Sequence, residues 1–169
     1  VLPGVAQSQV ADAAGFDLLT GLRSLVRQDP EVIFIGEIRD PEAAAVAIQA
    51  ALTGQLLVTT FHATDAASAL SRLGEMGIPP YAIRSAIHAI VAQRLVRRLC
   101  DCAIPDEAAP PELNALLQSL GIEPHRLQRH RPDGCEACRS TGYLGRLALA
   151  EILDLRLQAI GEAILRRAD

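Results

Sequence analysis

The sequence predicts an α/β fold. Three observations point to it. Val32, Ile33, Phe34 and Ile35 form a short apolar run bounded by Pro30 and Gly36, which suits a strand buried on both faces of a parallel sheet. Gln55–Thr60 is a second short strand of the same kind, ending in two hydroxyls. Between them lies the Ala-rich stretch Pro41–Leu52. Asp40-Pro41-Glu42 opens it as a helix, with a capping carboxylate, a proline at the first position and an acid at the positive end of the dipole. Thr53-Gly54 closes it. Strand, helix and strand make a βαβ unit, whose crossover is almost always right-handed.

Ligands of open α/β sheets bind beyond the carboxyl ends of the strands. Glu37 stands at that edge. Glu31 lies at the other end of the strand, roughly 20 Å away at ~3.3 Å per residue. Parallel strands end at the same edge, so Phe61-His62 emerges near Glu37, behind Thr59 and Thr60. This makes Glu37 and His62 the first candidates for a polar site.

Residues 1–15 read as loop, with a short strand at Ser8–Val10. Leu18, Leu19, Leu22, Leu25 and Val26 mark one face of a helix capped by Asp17. Arg23 and Arg27 share another face. They are either solvated arginines or an anion-contacting pair. Thr64 or Asp65 caps a helix with Ala66, Ala69, Leu70, Leu73 and Met76 on one face, and Gly77-Ile78-Pro79-Pro80 ends it. The i+4 spacing of Ile83, Ile87, Val91, Leu95 and Leu99 predicts a further helix from about Tyr81 to Leu99. Arg94, Arg97 and Arg98 would then complement its C-terminal dipole or bind an anion.

Cys100 and Cys102 pair with Cys135 and Cys138 around an insert rich in Pro and Glu, with one amphipathic helix at Pro111–Leu120. Four thiolates in two close pairs suit a tetrahedral zinc site. The Cys100-x-Cys102 spacing is one residue short of the common form. His125 or His130 could replace Cys102, and four ordinary free or buried cysteines are the alternative. A strand at Arg146–Leu153 and an amphipathic helix from about Arg156 to Arg167 complete the chain.

Composition narrows the function. Among 169 residues, half are apolar but only 3% aromatic, and the net charge is −4. This disfavours general nucleic-acid binding and base stacking. No apolar run approaches the ~20 residues that span a bilayer. All 16 basic residues are arginine, so the chain holds no lysine.

Arg27 to Asp40 resembles the Walker B region of the secretion-superfamily ATPases, the motors of type II secretion and type IV pilus assembly. Gly54 to Leu70 resembles their histidine box. Ala92 to Cys100 and Cys135 to Arg146 resemble their tetracysteine module, and Leu2-Pro-Gly4 the stretch after their aspartate box. The resemblance covers essentially all of the chain. It implies a RecA-like parallel sheet core with a small tetracysteine zinc-binding insert and C-terminal helices, working as a homo-hexamer. The core occupies residues 1–99, the zinc module 100–142, and a return strand and helix 143–169.

It also implies ATP, Mg²⁺ and Zn²⁺ as cofactors. Glu37 would hold Mg²⁺ through water or orient the attacking water, and His62 would contact the γ-phosphate. Arg23, Arg27, Arg39 and Thr60 are nucleotide-binding candidates, and Arg39 could equally pair with a local carboxylate. Cys100, Cys102, Cys135 and Cys138 would hold zinc. Expected partners are inner-membrane platform and regulatory proteins, with the motor on the cytoplasmic face of the membrane. The lysine-bearing phosphate loop of the family is absent from these residues. The expectation is therefore the C-terminal part of a larger motor, inactive alone. Two alternatives stand beside it: a pilus-retraction motor, disfavoured by the cysteine pairs, and a non-catalytic zinc-stabilised scaffold.

Overall fold

The computed structural model describes residues 2–106, 110–123 and 128–166. His125, a substitute ligand in the sequence reading, lies outside them. The described chain is α/β. After a short 3-10 turn, the elements are α1 (Leu18–Val26), β1 (Val32–Glu37), α2 (Pro41–Leu52), β2 (Leu56–Thr60), α3 (Ala66–Glu75), α4 (Pro80–Ala86), β3 (Ala89–Leu99), β4 (Ile104–Pro105), α5 (Pro111–Ser119), β5 (His130–Arg131), β6 (Tyr143–Asp154) and α6 (Gln158–Arg166). They form two compact units, Val1–Gln93 with Ala150–Asp169, and Arg94–Leu149.

In the first unit, β1 and β2 pair in parallel with Val32 opposite Leu56 and Phe34 opposite Val58. α2 makes the crossover. The Asp40 carboxylate accepts a hydrogen bond from the Ala43 amide at 2.8 Å, as an N-cap should. Ala43, Ala44, Ala47 and Ala50 are buried and belong to one apolar cluster with Leu22, Ile33, Ile35, Ile38, Ile78, Ile83 and Leu155. Small side chains on α2 let its backbone lie close to these neighbours. Asp17 and Asp65 cap α1 and α3 in the same way, each accepting at 2.7 Å.

Three expectations are corrected. The β1 strand is buried on one face only: Ile33 and Ile35 are inside, while Val32 and Phe34 are 59% and 69% exposed. Leu56 and Val58 of β2 are exposed too. An apolar run favours burial on both faces, but only the face bearing Ile33 and Ile35 is covered among the described residues. The helix expected over 81–99 stops at Ala86. Ile87 is extended (φ −100°, ψ 121°), and β3 follows, paired with β6. Ile87, Ile90, Val91 and Val96 are β-branched, and a partner strand decides for the pleat over the i+4 pattern. Ser8–Val10 is not a strand. The pairing near it is a single antiparallel bridge, Ala11 to Phe16.

In the second unit, β4 and β5 form a two-residue antiparallel pair. The Arg97 guanidinium lies over the Tyr143 ring, 3.9 Å from its centroid. The Cys100 amide donates to the Gly142 carbonyl at 2.9 Å. Gly142 has φ +71° and packs so closely on Pro132 that a Cβ would collide with it.

Candidate functional site

The parallel ladder carries an irregularity at its carboxyl end. Ile35 opposes Thr59, but Glu37 opposes Thr60, so Gly36 is the extra residue of a β-bulge. The Thr60 hydroxyl donates to the Gly36 carbonyl at 2.6 Å, and the Ile38 amide donates to the Thr60 carbonyl at 3.3 Å. The bulge changes the parity of the chain. Strict alternation would send Glu37 inward with Ile33 and Ile35. Instead Ile38 is buried, and Glu37 stands at the rim with 34% of its side chain exposed. Among the described residues other than its two chain neighbours, no atom lies within 4 Å of where a Cβ on Gly36 would stand, so the bulge itself is uncrowded.

Both oxygens of Glu37 are engaged. Oε1 pairs with the Arg39 guanidinium, and Oε2 lies 2.9 Å from His62 Nε2. Arg39, and to a lesser degree His62, hold the carboxyl below the usual carboxylate range against the opposing effect of partial desolvation. Glu37, His62, Arg39 and Thr60 therefore meet at one edge, where the sequence placed Glu37 and His62.

The other two arginines are not brought to Glu37. Arg23 Nη2 lies 3.9 Å from Glu42 in the first turn of α2. Arg27 caps the far end of α1. Its neighbour Val26 accepts a hydrogen bond from Gln55, just before β2 begins, so Arg27 sits toward the amino end of the sheet.

Sequence reasoning missed Arg72. It lines an open cleft with His62, Ala63, Thr64 and Ser68. Its Nη1 donates to the His62 carbonyl at 3.0 Å, and its guanidinium carbon lies 5.6 Å from the Phe61 ring centroid. One signal was available: Arg72 follows the capping Asp65 by seven residues, two helical turns, which returns it to the same side of α3.

The second centre is the cysteine cluster. The four Sγ atoms lie within 4.8 Å of one another. Cys100 to Cys135 and Cys102 to Cys138 are both 3.9 Å, and Cys135 to Cys138 is 3.8 Å. At a Zn–S distance of about 2.3 Å, a tetrahedron puts its sulfurs ~3.8 Å apart. A disulfide needs ~2.05 Å, so these are free thiols set at metal-ligand spacing. Backbone amides prepare one of them as a thiolate. Hydrogen bonding from the Cys135 amide, helped by the Gly142 amide, brings the Cys138 thiol down to about 6. Desolvation and the three neighbouring sulfurs push Cys102 up to about 12. A cation at the centre would offset that cost. His130 lies on β5, outside the cysteine cluster.

No helix among the described residues is long and apolar enough to cross a membrane. The type IV pilus assembly ATPase PilB of Thermus thermophilus is 45% identical over 154 residues, covering 90% of this chain and 17% of that protein. The type II secretion system protein E of Aeromonas hydrophila is 43% identical over 164 residues, covering 96% and 32%. The crystal structure of the pilus retraction motor PilT with bound ADP superposes with a TM-score of 0.57 at 23% identity, covering 97% and 34%. The chain thus spans about a third or less of the length of each. The family model described as "Type II/IV secretion system protein" matches residues 1–169, so the site edge and the cysteine cluster lie on a chain that belongs to that family.

Proposed function

We propose that this chain is part of a hexameric motor in which ATP hydrolysis drives assembly of a type IV pilus or a type II secretion pseudopilus. The observation that carries the proposal is the Glu37–His62 pair at the carboxyl edge of a parallel β1–β2 ladder. In this reading the ladder is part of a RecA-like core, and the domains follow the order core, zinc module, return strand and helix.

Glu37 is a single carboxylate, too few donors to hold Mg²⁺ alone, and Mg²⁺ keeps several of its waters. It would therefore hold Mg²⁺ only through water, or orient the attacking water, once Arg39 or His62 yields an oxygen. His62 presents its ring at the same edge as a donor toward the γ-phosphate. Thr60 holds the bulge that aims Glu37. Arg39 is placed to exchange the carboxylate for phosphate. Arg23 and Arg27, away from Glu37 in this chain, suit phosphate contacts made across a subunit boundary.

The cysteine cluster takes Zn²⁺, which would supply a structural crosslink for the Arg94–Leu149 unit. The motor works at the cytoplasmic face of the membrane with platform and regulatory proteins of its machine.

The test is Mg²⁺-dependent phosphate release by the full-length protein carrying this segment. Turnover is expected there, and none from the lysine-free 169-residue chain. A full-length protein that binds no nucleotide would favour the zinc-stabilised scaffold instead.

A further inference from the structure

We infer that Arg72 is a positioning residue that sets His62 against Glu37. The inference rests on reading those two residues as the ATP site. His62 belongs to the loop of residues 61–65 between β2 and α3, and its side chain is 72% exposed. Little packing holds an imidazole so placed. What holds its backbone is Arg72, whose Nη1 donates to the His62 carbonyl at 3.0 Å.

The same guanidinium lies over Phe61, whose ring packs against the apolar cluster of the first unit. Arg72 therefore ties three things together: the end of β2, the carbonyl of His62 and the body of α3. Below the loop, α3 is itself anchored. Asp65 caps it through the Ser68 amide at 2.7 Å, and the Ala66 amide points to Glu151 of β6 at 3.4 Å.

A basic residue in the last turn of a helix ordinarily serves the dipole by reaching toward the C-terminal carbonyls. Arg72 is in the last turn of α3 but reaches the other way, back to the loop. It meets neither Glu37 nor Arg39 in any ion pair or hydrogen bond of the site, so its effect on them passes through His62.

The test has two arms. In the 169-residue chain at fixed pH, Glu37→Gln is expected to displace the His62 Nε2 nitrogen resonance, because it changes the acceptor 2.9 Å away. In an Arg72→Gln background the same substitution is expected to lose at least half of that displacement, with Arg72→Lys intermediate. Arg72→Lys keeps a cation over Phe61 and serves as the milder variant if Arg72→Gln disturbs folding. A displacement of full size in both variants would overturn the inference.

In the full-length protein, Arg72→Gln is expected to lower kcat roughly ten- to a hundredfold, as misplacement of a catalytic group does, with KM for ATP little changed. A loss of stability, with or without a rise in KM, and no fall in kcat would mean a purely structural role and overturn it. Absence of ATP turnover in the unaltered full-length protein would sink the proposed function, and the resonance arm would still decide the role of Arg72.

Discussion

Glu37 Oε2 and His62 Nε2 lie 2.9 Å apart although 25 residues separate them. The parallel register of β1 and β2 brings them together, and the bulge at Gly36 turns Glu37 to the rim where His62 can reach it. Two side chains of opposite chemical character thus share one edge.

Replacement of Glu37 tests the role of that pair. In the full-length protein, Glu37→Gln is expected to cut phosphate release by about a hundredfold or more, the typical contribution of a positioned acid or base. Nucleotide binding, read with a fluorescent ATP analogue, should persist. Turnover equal to the unaltered protein would remove Glu37 from the chemistry.

The cysteine cluster predicts its own metal content. Elemental analysis is expected to find about one zinc per chain, the content of a four-cysteine site. Cys135→Ser should lose it, and residues 94–149 should then be cut by protease well before the first unit. Equal protease resistance with and without metal would show that zinc does not hold this unit together.

Tight packing on α2 makes small residues there sensitive to enlargement. Ala47 is 3% exposed within the main cluster. Ala47→Leu is expected to destabilise the chain by about 1–3 kcal/mol through overpacking. Urea unfolding should show a lower midpoint at unchanged slope, and an unchanged midpoint would mean that α2 has room to move.

Acid sensitivity has a local source at Asp154. Hydrogen bonds from the Arg156 guanidinium, at 2.7 and 2.9 Å, and from its amide hold that carboxyl at about 2. A carboxyl depressed in the folded state stabilises it above the unfolded value of about 3.9 and loses that contribution as pH falls through the folded value. Arg156→Ala should therefore raise the Asp154 midpoint in a carboxyl NMR titration and weaken pH-dependent stabilisation between about pH 4 and pH 2. A midpoint that stays near 2 would show that the backbone amide alone suffices.

The positions of Glu37 and His62 were legible because one ends, and the other closely follows, a strand whose apolar run is unmistakable. The caps Asp17, Asp40 and Asp65 were legible for a similar reason: a cap is a contact between residues three apart. The four cysteines announced a shared centre by pairing in sequence. Their fit to one tetrahedron despite the short Cys100-x-Cys102 link had to come from the fold around Gly142. Arg72 was hidden because its partner is a backbone carbonyl, which no side-chain pattern reveals.

Residue types and their spacing were enough to read the α/β class, the βαβ unit, the edge that Glu37 and His62 share and the clustering of the four cysteines, because the strands, the helix, its caps and each close cysteine pair are written in runs of neighbouring residues. Long-range contacts decided the rest. β3 became a strand because β6 pairs with it from more than forty residues on. Val32 and Phe34 are exposed because nothing described covers their face. Glu37 looks outward because Thr60 holds the bulge at Gly36. In each case the deciding free energy belongs to a partner distant in the chain, which local propensity does not encode.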